Sequence, residues 1–291
     1  MQDKNFCTLK SYKSLEELLT KELSYSKTLI KKFITKKRLQ SPLRERDEVY
    51  IPLEILNSGF INPKYSGEDL VVLKEDDNFI AVSKPHRVHG HPLNYGESDT
   101  IVNYLRAKNS WKVFLGRSIE AESKLLYRLD YETSGVLIFA KSSEAYNRVR
   151  DSFLETVKRK VYLAIVTGEF NLSGVHSHYL ESYGEKGAKM RVCDSGQRKV
   201  DIDVSLLKYD ESKNLSLLKV ELGQGVRHQI RCQLSAIGFP ILGDSLYSGQ
   251  ECGRLYLHAY KYEVKTDEYY FEVSSCEDEL FLKFFDLHSC L

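Results

Sequence analysis

Residues 125–142 read LLYRLDYETSGVLIFAKS, and this stretch combines a turn with a buried strand. The run GVLIFA is rich in aliphatic, β-branched and aromatic residues, which is typical of a strand covered on both faces. The Thr-Ser-Gly sequence at its start predicts a turn. Arg128 and Asp130 lie directly before that turn, so the sequence places a charged pair at the edge of a buried sheet.

The carboxylate of Asp130 is the first candidate functional group. A side chain held stiffly on a turn can serve as a nucleophile or a base. A partly buried carboxylate needs a cationic partner to remain ionised. Residues 227–238, RHQIRCQLSAIG, offer Arg227 and Arg231, which a helix would place on one face. The alternative is that Arg128 and Asp130 only cap and tether the turn.

Strand and turn signals continue through the chain beyond residue 70. Three pairs of β-rich runs flank short polar turns and predict hairpins: DLVVLKEDDNFIAVSKP, VDIDVSLLKYDESKNLSLLKVEL and HAYKYEVKTDEYYFEVSS. KVYLAIVTGEF predicts another buried strand, separated from GVLIFAKS by a helix, and RHQIRCQLSAIG predicts a helix that ends at Gly238. This pattern predicts an α+β domain with a largely antiparallel mixed sheet flanked by helices.

The first 60 residues form a distinct basic segment. They carry 12 Lys/Arg against 8 Asp/Glu, whereas residues 263–291 carry 2 against 8. Ser14 and Glu17 have the spacing of a capping box, and a second helix is predicted from Ser26. Its predicted inward residues are Leu29, Ile30, Phe33 and Ile34, and its outward residues are Lys27, Lys31, Lys32, Lys36, Lys37 and Arg38. Such a unit suits nucleic-acid binding; the alternative is that the lysines only solvate a helix face.

Composition limits the class of protein. The chain has 291 residues, of which 42% are hydrophobic and 29% charged, as in ordinary globular proteins. The amino terminus is polar, and no apolar run approaches a membrane span, so a cytoplasmic location without membrane contact is expected. The six cysteines are scattered, which predicts reduced thiols rather than a zinc ribbon or a redox pair.

Three segments in this order resemble the signature regions of the RluA-type pseudouridine synthase family. They are YRLDYETSGVLIFAK, RKVYLAIVTGE and RHQIRCQLSAIGFPILGDSLY, and DDNFIAVSKPHRVHGHP resembles the region that precedes them in that family. The resemblance covers roughly residues 70–260, and three ordered motifs are far more specific than one. It implies a pseudouridine synthase catalytic domain over residues 70–291. Residues 1–60 resemble the S4-type RNA-binding unit of many members, and the Gly-, Pro- and Ser-rich residues 57–69 read as a linker.

The resemblance implies roles for four residues. Asp130 matches the catalytic aspartate, which initiates cleavage of the uridine glycosidic bond. Tyr162 matches the tyrosine that packs on the flipped uracil and is implicated in moving the C5 proton. Arg231 matches the arginine paired with the aspartate, and Arg128 matches the arginine that fills the space left by the extruded nucleotide.

Three further residues are expected near the RNA because of their position in the motifs. Lys84, Arg227 and His228 are predicted to hold the RNA backbone close to the site. The expected partner is structured RNA, ribosomal or transfer, and the expected enzyme is a monomer with no organic cofactor or catalytic metal.

Two other functions remain open from the sequence. One is a non-catalytic RNA-binding protein that retains the fold. The other is a nucleoside or glycoside hydrolase, which would need a second carboxylate near Asp130. Glu132 is the nearest candidate in sequence, although its place on the turn predicts a solvent-facing side chain.

Several positions depart from the family pattern. Tyr127 stands where a histidine is usual before Arg-Leu-Asp, and Arg227 is moved by one position relative to Gly-Arg-x-His-Gln-Ile-Arg. His86 and Arg87 follow Lys-Pro where a glycine is expected, and Ser248 replaces a glycine after Leu-Tyr. These changes bear on RNA contacts more than on the chemistry.

Histidines raise the alternative of a metal site. His86, His89 and His91 are close in sequence, and His176 and His178 form a second pair. Neither group has the nearby thiol or carboxylate side chains that usually complete a zinc site. Histidines that contact RNA or backbone are the favoured interpretation.

Overall fold

The computed structural model describes residues 4–23, 25–56, 64–93, 96–108, 124–151, 153–185, 189–196, 198–275 and 285. The chain divides into two compact units. The first comprises Met1–Ser66 and Pro92–Ser98, and the second comprises Gly67–His91 and Asp99–Leu291. Among the described residues, no helix is long and apolar enough to cross a bilayer.

The first unit combines a two-stranded antiparallel sheet with short helices. Strand β1 (Lys4–Cys7) pairs with β2 (Glu48–Ile51). The helical segments are α1 (Leu15–Glu17), a π-helical turn (Leu18–Glu22), α2 (Lys27–Phe33), α3 (Lys36–Leu39) and α4 (Leu53–Leu56). The sequence pattern predicts only helices here. β2 buries just Val49 and Ile51, and an alternation this short does not identify a strand.

The predicted helix starts in this unit are confirmed, but the second helix is shorter than predicted. The hydroxyl of Ser14 accepts from the backbone N–H of Glu17 at 3.1 Å, and that of Ser26 accepts from Leu29 at 3.2 Å. Helix α2 ends because Ile34 is extended, with φ −125° and ψ 131°. Phe33 is consequently 39% exposed, so its predicted inward position was wrong.

The second unit is built on one large sheet. Its strands are β3 (Val72–Glu75), β4 (Phe79–Lys84), β5 (Ser134–Ala140), β6 (Val157–Thr167), β7 (Gly174–Tyr183), β8 (Lys189–Cys193), β9 (Lys199–Asp210), β10 (Leu215–Leu222), β11 (Leu257–Lys265) and β12 (Tyr270–Ser274). The strand order is β3-β4-β5-β11-β6-β10-β9-β7-β8, with β12 also paired to β11. The described pairs are antiparallel except β5 with β11.

The predicted hairpins β3–β4, β9–β10 and β11–β12 are confirmed. The first turn is closed by Asp76, whose carboxylate accepts from the backbone N–H groups of Asn78 and Phe79, both at 2.8 Å. All seven residues of β5 are buried, as a strand covered on both faces requires. The predicted α+β class with a largely antiparallel sheet is therefore confirmed.

The described helices of the second unit are α5 (Ile101–Ala107), α6 (Ser143–Asp151), α7 (Phe153–Thr156) and α8 (Gln229–Ala236). Helix α8 ends as predicted, because Gly238 has φ +90° and Phe239 donates to the carbonyl of Leu234 at 2.9 Å. Its predicted start was wrong. His228 is left-handed, with φ 54°, so the helix begins at Gln229 and Arg227 lies outside it.

Candidate active site

Asp130 lies on the turn that leads into β5. The backbone N–H of Thr133 donates to the carbonyl of Asp130 at 3.1 Å and closes the turn. The Asp130 side chain is 25% exposed, so it is accessible and partly desolvated at once. Its Oδ2 lies 3.5 Å from Nη1 of Arg231 and 3.9 Å from Nε2 of His228. The sequence-predicted pairing of Asp130 with Arg231 is present in this geometry.

Arg231 binds a second carboxylate that the sequence motifs did not identify. Its Nε lies 2.7 Å from Oδ2 of Asp244, and its Nη2 lies 2.8 Å from Oδ1. Asp244 is fully buried, and its carboxylate also accepts from the backbone N–H groups of Leu246 and Tyr247. The Arg231 side chain is only 4% exposed. A bidentate pair of this kind fixes the guanidinium plane and leaves Nη1 directed to Asp130.

The charge of Arg231 is stable in this setting. Burial by itself lowers the pKa of Arg231, but hydrogen bonds to Asp244 and the charges of Asp244 and Asp130 outweigh burial and raise it. The Arg231 guanidinium also lies 5.5 Å from the ring centroid of Tyr247. A permanent cation therefore stands beside the candidate catalytic carboxylate.

His228 is held between Tyr247 and Asp130. Its Nδ1 is 3.0 Å from the Tyr247 hydroxyl, which in turn accepts from the backbone N–H of Met190 at 2.9 Å. Burial lowers the pKa of His228, the charge of Asp130 opposes this shift, and the charge of Arg231 reinforces it. The net direction favours a neutral imidazole.

Tyr162 belongs to a group of three tyrosines, in which Tyr162 and Tyr262 are buried and Tyr127 is half-buried. Its hydroxyl hydrogen-bonds with that of Tyr262, and the ring of Tyr262 stacks on Tyr127 with centroids 4.1 Å apart and planes within 3°. Burial raises the pKa of Tyr162; the hydrogen bond with Tyr262 opposes the rise, and the charge of Asp130 adds to it. Tyr127 thus supports the aromatic group, and its hydroxyl donates to the carbonyl of Val136 at 3.1 Å.

Lys84 is engaged with the backbone rather than exposed. Its amine donates to the carbonyls of Pro85 and Val88, both at 2.8 Å, and of Tyr131 at 3.1 Å. Its residue is 1% exposed, and burial lowers its pKa to about 7. Its assignment to RNA stays a prediction, but these contacts favour a role in tying two loops together.

The other predicted RNA-binding residues lie at the surface. Arg128 is exposed. Arg227 is exposed and reaches the carbonyl of Lys189 at 3.5 Å, beside β8. Glu132, the candidate second carboxylate, binds Nε of Arg87 at 3.2 Å.

The histidines considered for a metal site lie in separate contacts. His89 packs on Tyr131 with centroids 4.5 Å apart, His176 contacts the carbonyl of Leu172, and His178 contacts Gln233. Within the described ranges, no group of three or more histidine, cysteine or carboxylate side chains is arranged to hold a metal ion.

Comparison with known proteins gives the same assignment as the motifs. The family model described as RNA pseudouridylate synthase matches residues 78–236. Ribosomal large subunit pseudouridine synthase D of Borreliella burgdorferi is 31% identical over 235 residues, 78% of this chain and 71% of that protein. An uncharacterised RNA pseudouridine synthase of Bacillus subtilis is 28% identical over 232 residues, 78% of this chain and 74% of that protein.

A solved structure shares the fold. Human RNA Pseudouridylate Synthase Domain Containing 1 superimposes with a TM-score of 0.61 and 26% identity, over 73% of this chain and 85% of that one. Motifs, sequence relatives and fold agree. The chain belongs to the RNA pseudouridylate synthase family, as an RluA-type isomerase that acts on RNA.

Proposed function

We propose that the enzyme converts specific uridines of ribosomal large subunit RNA to pseudouridine, with Asp130 as the catalytic carboxylate. The observation that carries this proposal is the position of Arg231. Two hydrogen bonds to buried Asp244 hold its guanidinium, which lies 3.5 Å from Asp130. The choice of ribosomal RNA over transfer RNA rests on the name of the Borreliella burgdorferi relative.

The reaction needs one ionised carboxylate. The N1–C1′ bond breaks, the uracil turns, and C5 joins C1′, so no water is consumed and the atoms of substrate and product are the same. Asp130 can begin this by attacking C1′ or by removing the 2′ proton, and both routes need the ionised form. The Arg231 guanidinium places a fixed positive charge 3.5 Å from this carboxylate. The isomerisation also involves no net oxidation, so its balance requires no redox cofactor.

Tyr162 holds the detached uracil in this proposal. Stacking of a base on an aromatic ring stabilises complexes by about 1–3 kcal/mol per base. Because the pKa of Tyr162 is raised, its hydroxyl remains protonated near neutral pH. We therefore propose that Tyr162 contributes mainly by stacking and hydrogen bonding. It is not expected to be deprotonated before the substrate binds.

RNA contacts are proposed for two exposed arginines and for the half-buried His228. Arg128 is placed to refill the stack when the target nucleotide flips out. Arg227 and His228 lie directly before helix α8 and are proposed to contact the RNA backbone. The basic first unit, proposed as the S4-like unit, adds sequence-independent attraction to phosphates. Lys84 is proposed to act indirectly, by holding the loops next to Asp130.

The hydrolase alternative lacks a free second carboxylate in the described part of the site. Both oxygens of Asp244 bind Arg231, and Glu132 is paired with Arg87. The non-catalytic alternative does not explain why Asp130 lies beside Arg231. A negative charge repels RNA phosphates, so a protein that only binds RNA gains nothing from this carboxylate.

Incubation with protein-free large subunit RNA tests the proposal. Pseudouridine mapping before and after incubation should show new pseudouridine at defined positions, with no free uracil released. Transfer RNA serves as the comparison substrate. Modification of transfer RNA alone would overturn the substrate assignment, and uracil release without pseudouridine would identify a hydrolase.

A further inference from the structure

Strand β11 lies between β5, which follows the Asp130 turn, and β6, which carries Tyr162. The start of β5 pairs with β11 in parallel, at Ser134 with His258 and at Gly135 with Ala259. On its other side β11 pairs with β6, where Ala259 lies opposite Tyr162. The alignment of Ser134 with His258 therefore determines how the Asp130 turn lies relative to Tyr162.

A chain of hydrogen bonds joins side chains at this junction. The Arg254 guanidinium donates to the Ser134 hydroxyl at 2.7 Å, and that hydroxyl is 2.9 Å from Nδ1 of His258. Nε2 of His258 lies 3.3 Å from the carbonyl of Ser275. All four residues are buried, with exposures of 8% or less.

The direction of each bond follows from the partners. A guanidinium can only donate, and a carbonyl oxygen can only accept. In the neutral form of His258, Nε2 therefore carries the proton for Ser275, which leaves Nδ1 as an acceptor. In that form Ser134 accepts from Arg254 and donates to His258, so this hydrogen-bond chain sets the direction of its hydroxyl.

These side chains are not packed on every side. Ser134, Arg254 and His258 line a cavity of about 240 Å³, together with Lys84 and Ser83. Side chains next to such a space can shift unless directional bonds restrain them. The rest of β5, from Val136 to Ala140, is apolar and fully buried, so the polar chain is confined to the end next to Asp130.

The Asp130 turn is thereby fixed at its junction with the sheet. Ser134 follows Asp130 by four residues, and the turn between them is closed by the Thr133 N–H to Asp130 carbonyl bond. The amine of Lys84 holds the turn at the carbonyl of Tyr131. A displacement of about 1 Å at a reacting group can cost a hundredfold in rate.

We propose that Arg254, Ser134 and His258 are positioning residues that hold Asp130 in register with Tyr162. This inference rests on the proposed roles of Asp130 and Tyr162. None of the three residues is assigned to contact RNA; they act through the backbone of the turn.

Two substitutions of His258 separate this role from a general structural one. An asparagine oxygen reaches the place of Nδ1 and can still accept from Ser134, whereas a glutamine amide reaches the place of Nε2 and can still donate to Ser275. We expect His258→Asn to retain most of kcat, and His258→Gln to lose about tenfold to hundredfold in kcat with unchanged KM and RNA affinity. Equal losses, the reverse order, or a change confined to KM would overturn the proposal.

A second pair guards against variants that do not fold. Ser134→Thr keeps the hydroxyl and Ser134→Ala removes it, so kcat should fall only in the alanine variant, with thermal unfolding of all variants recorded in parallel. Alanine and threonine variants of equal kcat would contradict the inference. The wild-type enzyme tests the underlying function separately: if it forms no pseudouridine, the proposed function fails, whereas an active wild type with indifferent variants refutes only the positioning role.

Discussion

At the scale of single residues, the buried pair of Arg231 and Asp244 places a fixed cation 3.5 Å from Asp130. Asp244 neutralises a cation that would otherwise be costly to bury, and it orients that cation toward the proposed catalytic carboxylate of Asp130. Asp244 lies in the GDSLY segment, where it is the one charged residue in an otherwise apolar and turn-forming stretch. That isolated carboxylate was the feature of the sequence that could have identified it. Its partner, however, lies 13 residues away across a helix and a loop, and no periodicity relates the two.

Asp244→Asn should lower the free energy of unfolding by about 3–5 kcal/mol, because the buried Arg231 charge loses its bidentate carboxylate partner. Chemical denaturation measures this loss. The double variant Arg231→Met/Asp244→Asn should recover much of the stability, since it removes both charges of the pair and the asparagine oxygen can still accept from the N–H groups of Leu246 and Tyr247. It should remain inactive, because Asp130 has lost its cation. A double variant that forms pseudouridine at the wild-type rate would show that Arg231 has no role in catalysis.

Lys84 gives a prediction about pH. Burial lowers its pKa in the folded protein to about 7 from an ordinary value of 10.5. The unfolded chain therefore binds more protons than the native state between these values, and the contribution of Lys84 to stability rises with pH. The free energy of unfolding of wild type minus that of Lys84→Met should increase from about pH 7 to about pH 10. A difference that is flat or falls with pH would mean that the Lys84 amine is not desolvated.

At the scale of elements, the sequence predicts strands well where burial is regular. The β5 run and the three hairpins were predicted because their apolar residues extend over whole strands and their turns are polar. Strands β7 and β8 were not predicted. Most residues of β7 are exposed or half-buried, so its sequence lacks the apolar alternation of a strand.

The start of helix α8 shows a second limit. His228 adopts φ 54°, a left-handed conformation that is uncommon for residues other than glycine and that the sequence pattern did not predict. It follows from tertiary contacts, with Tyr247 on one ring nitrogen and Asp130 near the other. Arg227 and Arg231 were therefore grouped on one helix face, although only Arg231 is helical.

Gly135 tests the junction of β5 and β11. Its φ is +112°, and an added Cβ would lie 2.3 Å from the carbonyl oxygen of Ala259. Gly135→Ala should lower the free energy of unfolding by about 2–5 kcal/mol, because backbone strain and overpacking add. Gly253→Ala is the matched control, since nothing lies within 4 Å of its added Cβ. Equal stability of the two variants would show that the close approach of β5 and β11 is not required.

At the scale of the whole molecule, charge is distributed unequally although the formal net charge is only +1. The exposed lysines of α2 and α3 belong to the first unit, and the proposed catalytic residues belong to the second. RNA affinity is therefore expected to depend on a unit that holds none of the proposed catalytic residues.

Lys31→Gln/Lys32→Gln in the full chain should weaken RNA binding and reduce the slope of log K against log salt by about 0.7–0.9 for each phosphate that is no longer neutralised. The turnover of bound RNA should be unchanged. Lys213→Gln/Lys265→Gln, which removes two charges from hairpin ends in the other unit, is the control. Titrations at several salt concentrations measure the slopes. If the Lys31→Gln/Lys32→Gln variant has the same slope as wild type, these two lysines do not contact RNA phosphates and only solvate the helix face.

The most direct measurement of the central claim is single-turnover formation of pseudouridine by Asp130→Asn, with Glu132→Gln as the neighbouring control. We predict that Asp130→Asn slows turnover by at least about a thousandfold while RNA affinity stays within about threefold of wild type, as expected when a group used only in catalysis is removed. Glu132→Gln should remain active. Turnover by Asp130→Asn at the wild-type rate would contradict the assignment of this carboxylate and the mechanism built on it.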